Sequence, residues 1–112
     1  MKRIYTKRFL KEAKGLRKKY RAIDLDIKKF ANAIKENSLI VSTRIPNFGE
    51  LKIYKTRIRN SSAASGKGGG FRIIYYLEID TICYFISIYS KSQKTDISKD
   101  EILRILKDEN LI

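Results

Sequence analysis

The segment FRIIYYLEIDTICYFISIYS, residues 71–90, contains two β-branched and aromatic runs, 71–79 and 82–90, separated by the pair Asp80-Thr81. Runs of this composition predict strands, and so short a break predicts that the two strands form an antiparallel hairpin. Residues 51–59 repeat the same period of two, which predicts a third strand. We therefore expect these three segments to form one antiparallel sheet.

The chain before these strands carries apolar residues at helical spacing. Two stripes, each repeating every three or four residues, predict helices at about 7–20 and 24–36. The short break between them predicts an antiparallel helical hairpin. The stripes are Phe9, Ala13, Leu16 and Tyr20 in the first helix and Ile27, Phe30 and Ile34 in the second.

Polar residues mark the expected helix starts. Thr6 is positioned to cap the first helix and Asp24 the second, since short oxygen-bearing side chains satisfy the first free backbone N–H groups. Ser98 and Glu101 have the spacing of a capping box and predict a short C-terminal helix. A short strand is expected at residues 3–5.

The expected order of elements is β-α-α-β-β-β-α within one domain, residues 1–112. Ser38–Glu50 holds the single proline and is interpreted as a connecting loop, and Asn60–Gly70 as a long glycine- and serine-rich connector. The predicted fold class is α+β: an antiparallel β-sheet packed against an N-terminal helical hairpin, with a short C-terminal helix.

The net charge is the most unusual feature of the composition. The chain of 112 residues has 25 Lys and Arg against 12 Asp and Glu, for a net charge of +13. So strong a positive field indicates a polyanionic partner, which leaves RNA, DNA, an acidic protein and an anionic membrane surface as candidates. No apolar run approaches the roughly 20 residues of a membrane span.

Residue types narrow the chemistry further. The chain has no histidine and one cysteine, Cys83, which excludes a disulfide framework and a zinc site built from His and Cys. No metal or other cofactor is expected. The N-terminal MKRIYTKRF lacks the apolar core of a signal peptide, so the expected location is the cytoplasm.

Cationic residues gather on or near the three predicted strands. Alternate residues of a strand share a face, so the first strand is expected to project three cations together, with a further arginine on its neighbour and two lysines just beyond the third strand. These residues are Lys55, Arg57 and Arg59, then Arg72, then Lys91 and Lys94.

Such a cluster can bind a phosphodiester and promote its cleavage. Arginine binds phosphate oxygens bidentately, and a lysine whose pKa is lowered by neighbouring cations can act as a base. The few acidic residues are expected to avoid the basic strands. The alternative interpretation is that these are solvated residues on an open sheet face, just as Lys11, Lys14, Lys18 and Arg21 form the charged face of the first helix.

The order of elements, together with YKTRIRNSS (54–62), GKGGGFRIIYY (66–76) and ISIYSKSQKTDIS (86–98), resembles the RelE/HigB-like toxins of bacterial type II toxin–antitoxin modules. The resemblance covers nearly the whole chain. It implies messenger RNA cleavage on the ribosome by metal-independent attack of the 2′-hydroxyl, and suppression by a cognate antitoxin protein.

The resemblance also implies roles for individual residues. Lys55 and Arg57 occupy positions of the general base and of phosphate binding, and Arg72 that of the arginine that stabilises the transition state. Arg59, Lys91 and Lys94 are expected to bind substrate. Where relatives carry a tyrosine, this chain has Asp96-Ile97-Ser98, so the resemblance assigns no general acid.

The prediction is a ribosome-dependent messenger RNA endoribonuclease toxin that inhibits translation. Two alternatives stay open. One is a non-catalytic basic module that binds RNA or the ribosome, and the other is a ParE-like toxin that inhibits gyrase by protein binding.

Overall fold

The computed structural model describes residues 1–36, 42–63, 70–79 and 81–112, and has an α+β fold. Its strands and helices follow one another in an order close to the predicted one. The elements are β1 Lys2–Tyr5, α1 Lys7–Arg17, α2 Ile23–Glu36, β2 Ser42–Arg44, β3 Lys52–Ile58, β4 Phe71–Glu78, β5 Ile82–Ser90 and α3 Lys99–Asp108.

The described strands form one five-stranded sheet in the order β1-β5-β4-β3-β2. The three strands predicted from period-two segments pair antiparallel as expected. A wholly antiparallel sheet, however, was the wrong prediction, because β1 pairs parallel with β5, with Lys2 opposite Ile82. Parallel pairing requires a crossover connection, and helices α1 and α2 lie within the connection that leads from β1 back to the sheet.

The segment interpreted as a loop also contains a strand. Ser42–Arg44 forms β2 and pairs antiparallel with β3, with Thr43 opposite Lys55. Three residues are too few to show a period of two, so the sequence pattern gives no signal for this edge strand. The sequence also predicts a short extended piece at about 39–41, and residues 37–41 lie outside the described residues.

Helices α1 and α2 pack on one face of the sheet, and the predicted stripes are buried there. Thr6 is the N-cap of α1, where its hydroxyl accepts the N–H of Phe9 at 3.2 Å. Helix α1 ends at Arg17, three residues before the predicted end. Helix α2 begins at Ile23, so Asp24 lies in its first turn rather than at the cap, and binds Arg17 at 2.9 Å.

Helix α3 covers part of the opposite face. The predicted cap is confirmed, since the Ser98 hydroxyl accepts the N–H of Glu101 at 3.1 Å. Apolar residues of α3 pack against those of β3, β4 and β5, so the sheet is buried on both faces where α3 lies. This second core includes Ile102, Ile105 and Leu106 from the helix and Ile53, Ile74 and Ile86 from the strands.

Gly70 fixes the entry into β4. Its φ of +69° lies in the left-handed region that favours glycine, and a Cβ at this position would collide with the backbone oxygen of Ile58. The close approach holds the end of β3 against the start of β4, where Ile58 pairs with Phe71. Connector residues 64–69, which include most of the glycine run, lie outside the described residues, as does Asp80 of the predicted hairpin turn.

Candidate anion-binding site

Arg57, Arg72 and Tyr89 form a row across three neighbouring strands. Arg57 of β3 lies opposite Arg72 of β4, and Arg72 lies opposite Tyr89 of β5. Directly opposed residues of antiparallel strands project to the same face. Tyr89 belongs to the core beneath α3, so the row lies on the α3 face of the sheet.

Opposed arginines are unfavourable for the sheet itself, since like charges at directly opposed positions repel each other. Arg57 is exposed and Arg72 is half-buried. Two guanidinium groups in this register place their N–H donors on the same face of the sheet. The arrangement suits an anion with several oxygen atoms, such as a phosphate, which would relieve the repulsion between the two charges.

Lys55 lies on the same face of the sheet, two residues before Arg57 on β3. Its register partner on β4 is Ile74, a residue of the α3-side core. The Lys55 Nζ lies 3.5 Å from Oδ1 of Asp96, and the Asp96 side chain is 65% exposed. The expectation that acidic residues avoid the basic strands is therefore wrong, because the segment after β5 folds back and brings Asp96 to β3.

Asp96 is held as a carboxylate. Its Oδ1 accepts the backbone N–H of Ile97 at 2.8 Å, and this hydrogen bond lowers the pKa of Asp96, with the Lys55 ammonium lowering it further against the opposing effect of burial. An aspartate with a lowered pKa stays ionised at neutral pH. It is therefore unsuited to act as a general acid.

Tyr89 connects the carboxylate with the arginine row. Its hydroxyl donates to Oδ1 of Asp96 at 3.4 Å. Burial raises the pKa of Tyr89 to about 12, the nearby Asp96 carboxylate adds to the rise, and Arg72 opposes it. The phenol is therefore neutral at physiological pH and can donate a proton.

The other predicted substrate-binding residues lie around this row. Lys94 is half-buried, with its Nζ 5.7 Å from the centre of the Tyr89 ring and 3.3 Å from the Glu101 carboxylate. Lys91 is exposed in the turn after β5, where its N–H donates to the Gly70 carbonyl. Arg59 is exposed beyond the end of β3, so β3 itself presents two of the three cations expected on it.

Sequence reasoning missed Tyr89 and Asp96 as members of the site. Tyr89 is an aromatic strand residue only 4% exposed, and such a residue is typical of core packing. The available signal was the hairpin register, which places the residues just before Ser90 near Arg72. Asp96 has no local signal, since its position depends on how the segment 91–98 folds back.

Cys83 takes no part in this site. It is fully buried on the α1–α2 side, and burial raises the pKa of its thiol to about 12, so the thiol is protonated and inert. Among the described residues no cluster of three or more His, Cys, Asp or Glu could hold a metal ion. No helix within the described ranges is long and apolar enough to cross a membrane.

The chain matches no protein-family model and no curated protein.

The site thus combines three groups that differ in chemistry. Arg57 and Arg72 can bind two oxygens of a phosphate. Lys55 and Asp96 form a partly exposed ion pair beside them, and Tyr89 supplies a neutral hydroxyl within the same row. Together these groups can bind a phosphodiester and exchange a proton with it.

Proposed function

We propose that the protein is a messenger RNA endoribonuclease of the RelE/HigB-like toxin type. The observation that carries the proposal is the register of Arg57 and Arg72, which face each other on adjacent strands beside Tyr89. A repulsive arginine pair on one sheet face lowers stability but fits a phosphate. The charge of +13 supplies the wider field that attracts RNA.

In the proposed reaction the 2′-hydroxyl attacks the adjacent phosphorus and the 5′-oxygen leaves. Arg57 and Arg72 stabilise the negative charge that develops on the phosphorane. After its ion pair with Asp96 opens, Lys55 releases a proton to solvent, and the neutral amine then accepts the proton of the 2′-hydroxyl. Tyr89 donates a proton to the leaving 5′-oxygen, a role that suits a phenol with a pKa of about 12.

The proposed partners are the ribosome carrying messenger RNA and a cognate antitoxin protein, in the cytoplasm. An antitoxin would bind this surface through acidic residues, and its association rate would fall as salt rises. Asp96 supports this expectation, since it shows how a carboxylate contacts Lys55 within the cationic site.

Single-turnover cleavage on ribosomes programmed with a defined messenger RNA tests the proposal. We expect cleavage to continue in chelator and to leave a 2′,3′-cyclic phosphate, which 3′-end analysis detects. Absence of cleavage by the intact protein, or activity that disappears in chelator and returns with magnesium, would sink the proposed reaction.

One observation favours a second function, a non-catalytic module that binds RNA or the ribosome. Lys55 contacts Asp96 at 3.5 Å, and an ammonium group held in an ion pair has no lone pair with which to accept a proton. A binder predicts normal affinity of the intact protein for ribosomes with no cut transcript. The same cleavage assay, combined with ribosome sedimentation, therefore separates the two functions.

A further inference from the structure

A groove lies between α1 and the end of β5, next to the arginine row. It encloses about 270 Å³. Its walls combine apolar and aromatic surface from Leu16, Ile88 and Tyr89 with the cations Lys19 and Lys94. Tyr89 is shared with the candidate site, where it opposes Arg72, so Tyr89 connects the groove on the α1 side with the arginine row on the α3 face.

The groove has the composition that a nucleobase requires. Its volume is slightly below the roughly 300–1,000 Å³ of most small-molecule sites, which fits one planar base rather than a larger ligand. Bases bind single-strand-binding proteins by packing their faces on aromatic and apolar groups. Lys19 and Lys94 stand where they can bind the phosphates on either side of such a base.

The one acidic residue of the groove does not oppose this charge. Glu12 accepts the hydroxyl of Ser87 at 2.8 Å and lies 3.4 Å from Arg8. Its carboxylate is thus engaged by groups at the back of the groove and by a neighbouring cation. The groove therefore keeps Lys19 as a cation, together with Lys94, whose Nζ also contacts the Glu101 carboxylate at 3.3 Å.

Gly15 lies in the wall of this groove, in the last turn of α1. A glycine is unfavourable within a helix, and packing does not require it, since a Cβ built there meets no atom within 4 Å. Its φ is that of an ordinary helix residue and gives no reason for glycine. A bare backbone at this point leaves room for a close planar ligand.

We propose that this groove binds one unpaired nucleobase of the RNA, next to the phosphate held by Arg57 and Arg72. The inference rests on the proposed function for its choice of RNA, but it is measured by binding alone. The groove would then fix which nucleotide lies beside the scissile bond, while the arginine row acts on the phosphate.

Amide chemical shifts of the intact protein test this assignment during titration with AMP, GMP, CMP, UMP and ribose 5-phosphate. We expect at least one nucleotide to shift the amides of Gly15 and Ile88, and ribose 5-phosphate to leave them unchanged. Equal shifts with ribose 5-phosphate would mean a phosphate site without a base. Such a result, or no shift with any nucleotide, overturns the proposal.

Two substitutions locate the binding. Gly15→Leu adds a side chain to the groove wall, where a Cβ meets no atom within 4 Å, and Lys19→Glu reverses the charge of a groove cation. Each should weaken nucleotide binding by about tenfold or more, while Lys14→Glu, on the exposed side of the same helix, should change it by less than about twofold. Unchanged affinity in both groove variants contradicts the assignment.

The outcome for the groove is separate from the outcome for the reaction. Cleavage by the intact protein with no base binding at Gly15 would contradict the groove assignment and support the nuclease function. Base binding without cleavage would support the groove and leave the protein as an RNA binder.

Discussion

Arg72 and Tyr89 lie directly opposite each other on β4 and β5 because the register of this hairpin shifts between Ile74 and Tyr75. Near the turn, Glu78 pairs with Ile82 and Tyr75 with Phe85. An unshifted register would place Arg72 opposite Ile88 and would leave Tyr89 one residue out of register with it. The β-bulge thus brings the phenol to the arginine.

The same shift gives β5 one extra residue relative to β4, between Phe85 and Ser87. A β-bulge of this kind is a common way for a sheet to redirect a side chain. Tyr89 thereby reaches Arg72, Asp96 and Lys94 together. The proposed proton donor and the proposed phosphate ligand therefore depend on one irregularity in the ladder.

Replacing Arg72 separates an enzyme from a binder. Arg72→Ala should lower single-turnover cleavage on programmed ribosomes about a hundredfold, on the order of 3 kcal/mol, because a cation at the developing phosphorane is lost. Ribosome affinity should fall far less, since one phosphate contact among many is a small part of a salt-dependent total. Lys55→Ala should behave similarly if Lys55 is the base.

Lys14→Ala is the matched control, since Lys14 is an exposed cation of α1. It should alter binding slightly and cleavage at saturation not at all. Growth arrest on induced expression, at equal protein level, gives a second measurement. An Arg72→Ala variant as toxic as the parent would show that the catalytic assignment is wrong.

Asp96→Asn tests the ion pair that holds Lys55. Loss of the carboxylate removes the negative charge 3.5 Å from Nζ, so RNA affinity should rise by a small factor and its dependence on salt should steepen. The slope of affinity against salt concentration, compared with that of the parent, measures this. Asp100→Asn is the control, since it removes an equal charge from an exposed site in the first turn of α3.

Asp96 also makes stability depend on pH. Its pKa is lowered from the ordinary value of 3.8, first by the Ile97 N–H and then by Lys55. The stabilisation is therefore present above about pH 4 and is lost as pH falls through the lowered pKa. Thermal melts should show a gap between parent and Asp96→Asn near neutral pH that closes in acid. A gap that widens in acid would contradict this assignment.

The alkaline side of the pH profile is governed in part by Tyr89. Its pKa is raised from 10.0 to about 12, chiefly by burial, so its stabilisation is complete below about pH 10 and is lost as pH rises toward 12. Burial also raises the pKa of other tyrosines, namely Tyr5, Tyr75, Tyr76 and Tyr84. Ultraviolet titration should therefore show several late-ionising tyrosines, and Tyr89→Phe should remove one of them. If the remaining tyrosines account for the whole curve, Tyr89 is not held neutral by its surroundings.

The helices and central strands could be predicted because their signals are local. Phe9, Ala13 and Leu16 recur at helical spacing and are buried, and the hydroxyl of Ser98 caps the helix that its spacing to Glu101 indicated. Such patterns require only a few consecutive residues. The antiparallel order of β3, β4 and β5 follows from the same runs and the short turn.

The remaining features depend on contacts between distant segments. Pairing of β1 with β5 joins residues about eighty positions apart, and no period in the sequence selects that edge. Lys55, Arg57 and Arg72 were placed on one face by alternation and pairing, whereas Asp96 reaches Lys55 through the path of a loop. The bulge beside Ile74 has no glycine to mark it, so Tyr89 could not be placed opposite Arg72.

Replacement by alanine should change the free energy of unfolding in opposite directions at Gly15 and at Gly70. Gly70 has φ +69°, and its Cβ would meet the backbone of Ile58, so Gly70→Ala should lower the free energy of unfolding by roughly 2 kcal/mol or more. Gly15 is helical with open space around its Cβ, so Gly15→Ala should raise it by up to about 1 kcal/mol. Urea denaturation at constant pH measures both changes.

Gly70 holds the strands that carry Arg57 and Arg72 in register, so Gly70→Ala should also weaken RNA binding. Gly15→Ala should increase stability without strengthening RNA binding. A Gly70→Ala variant as stable as the parent would mean that the close contact between β3 and β4 at Ile58 is not required for the fold.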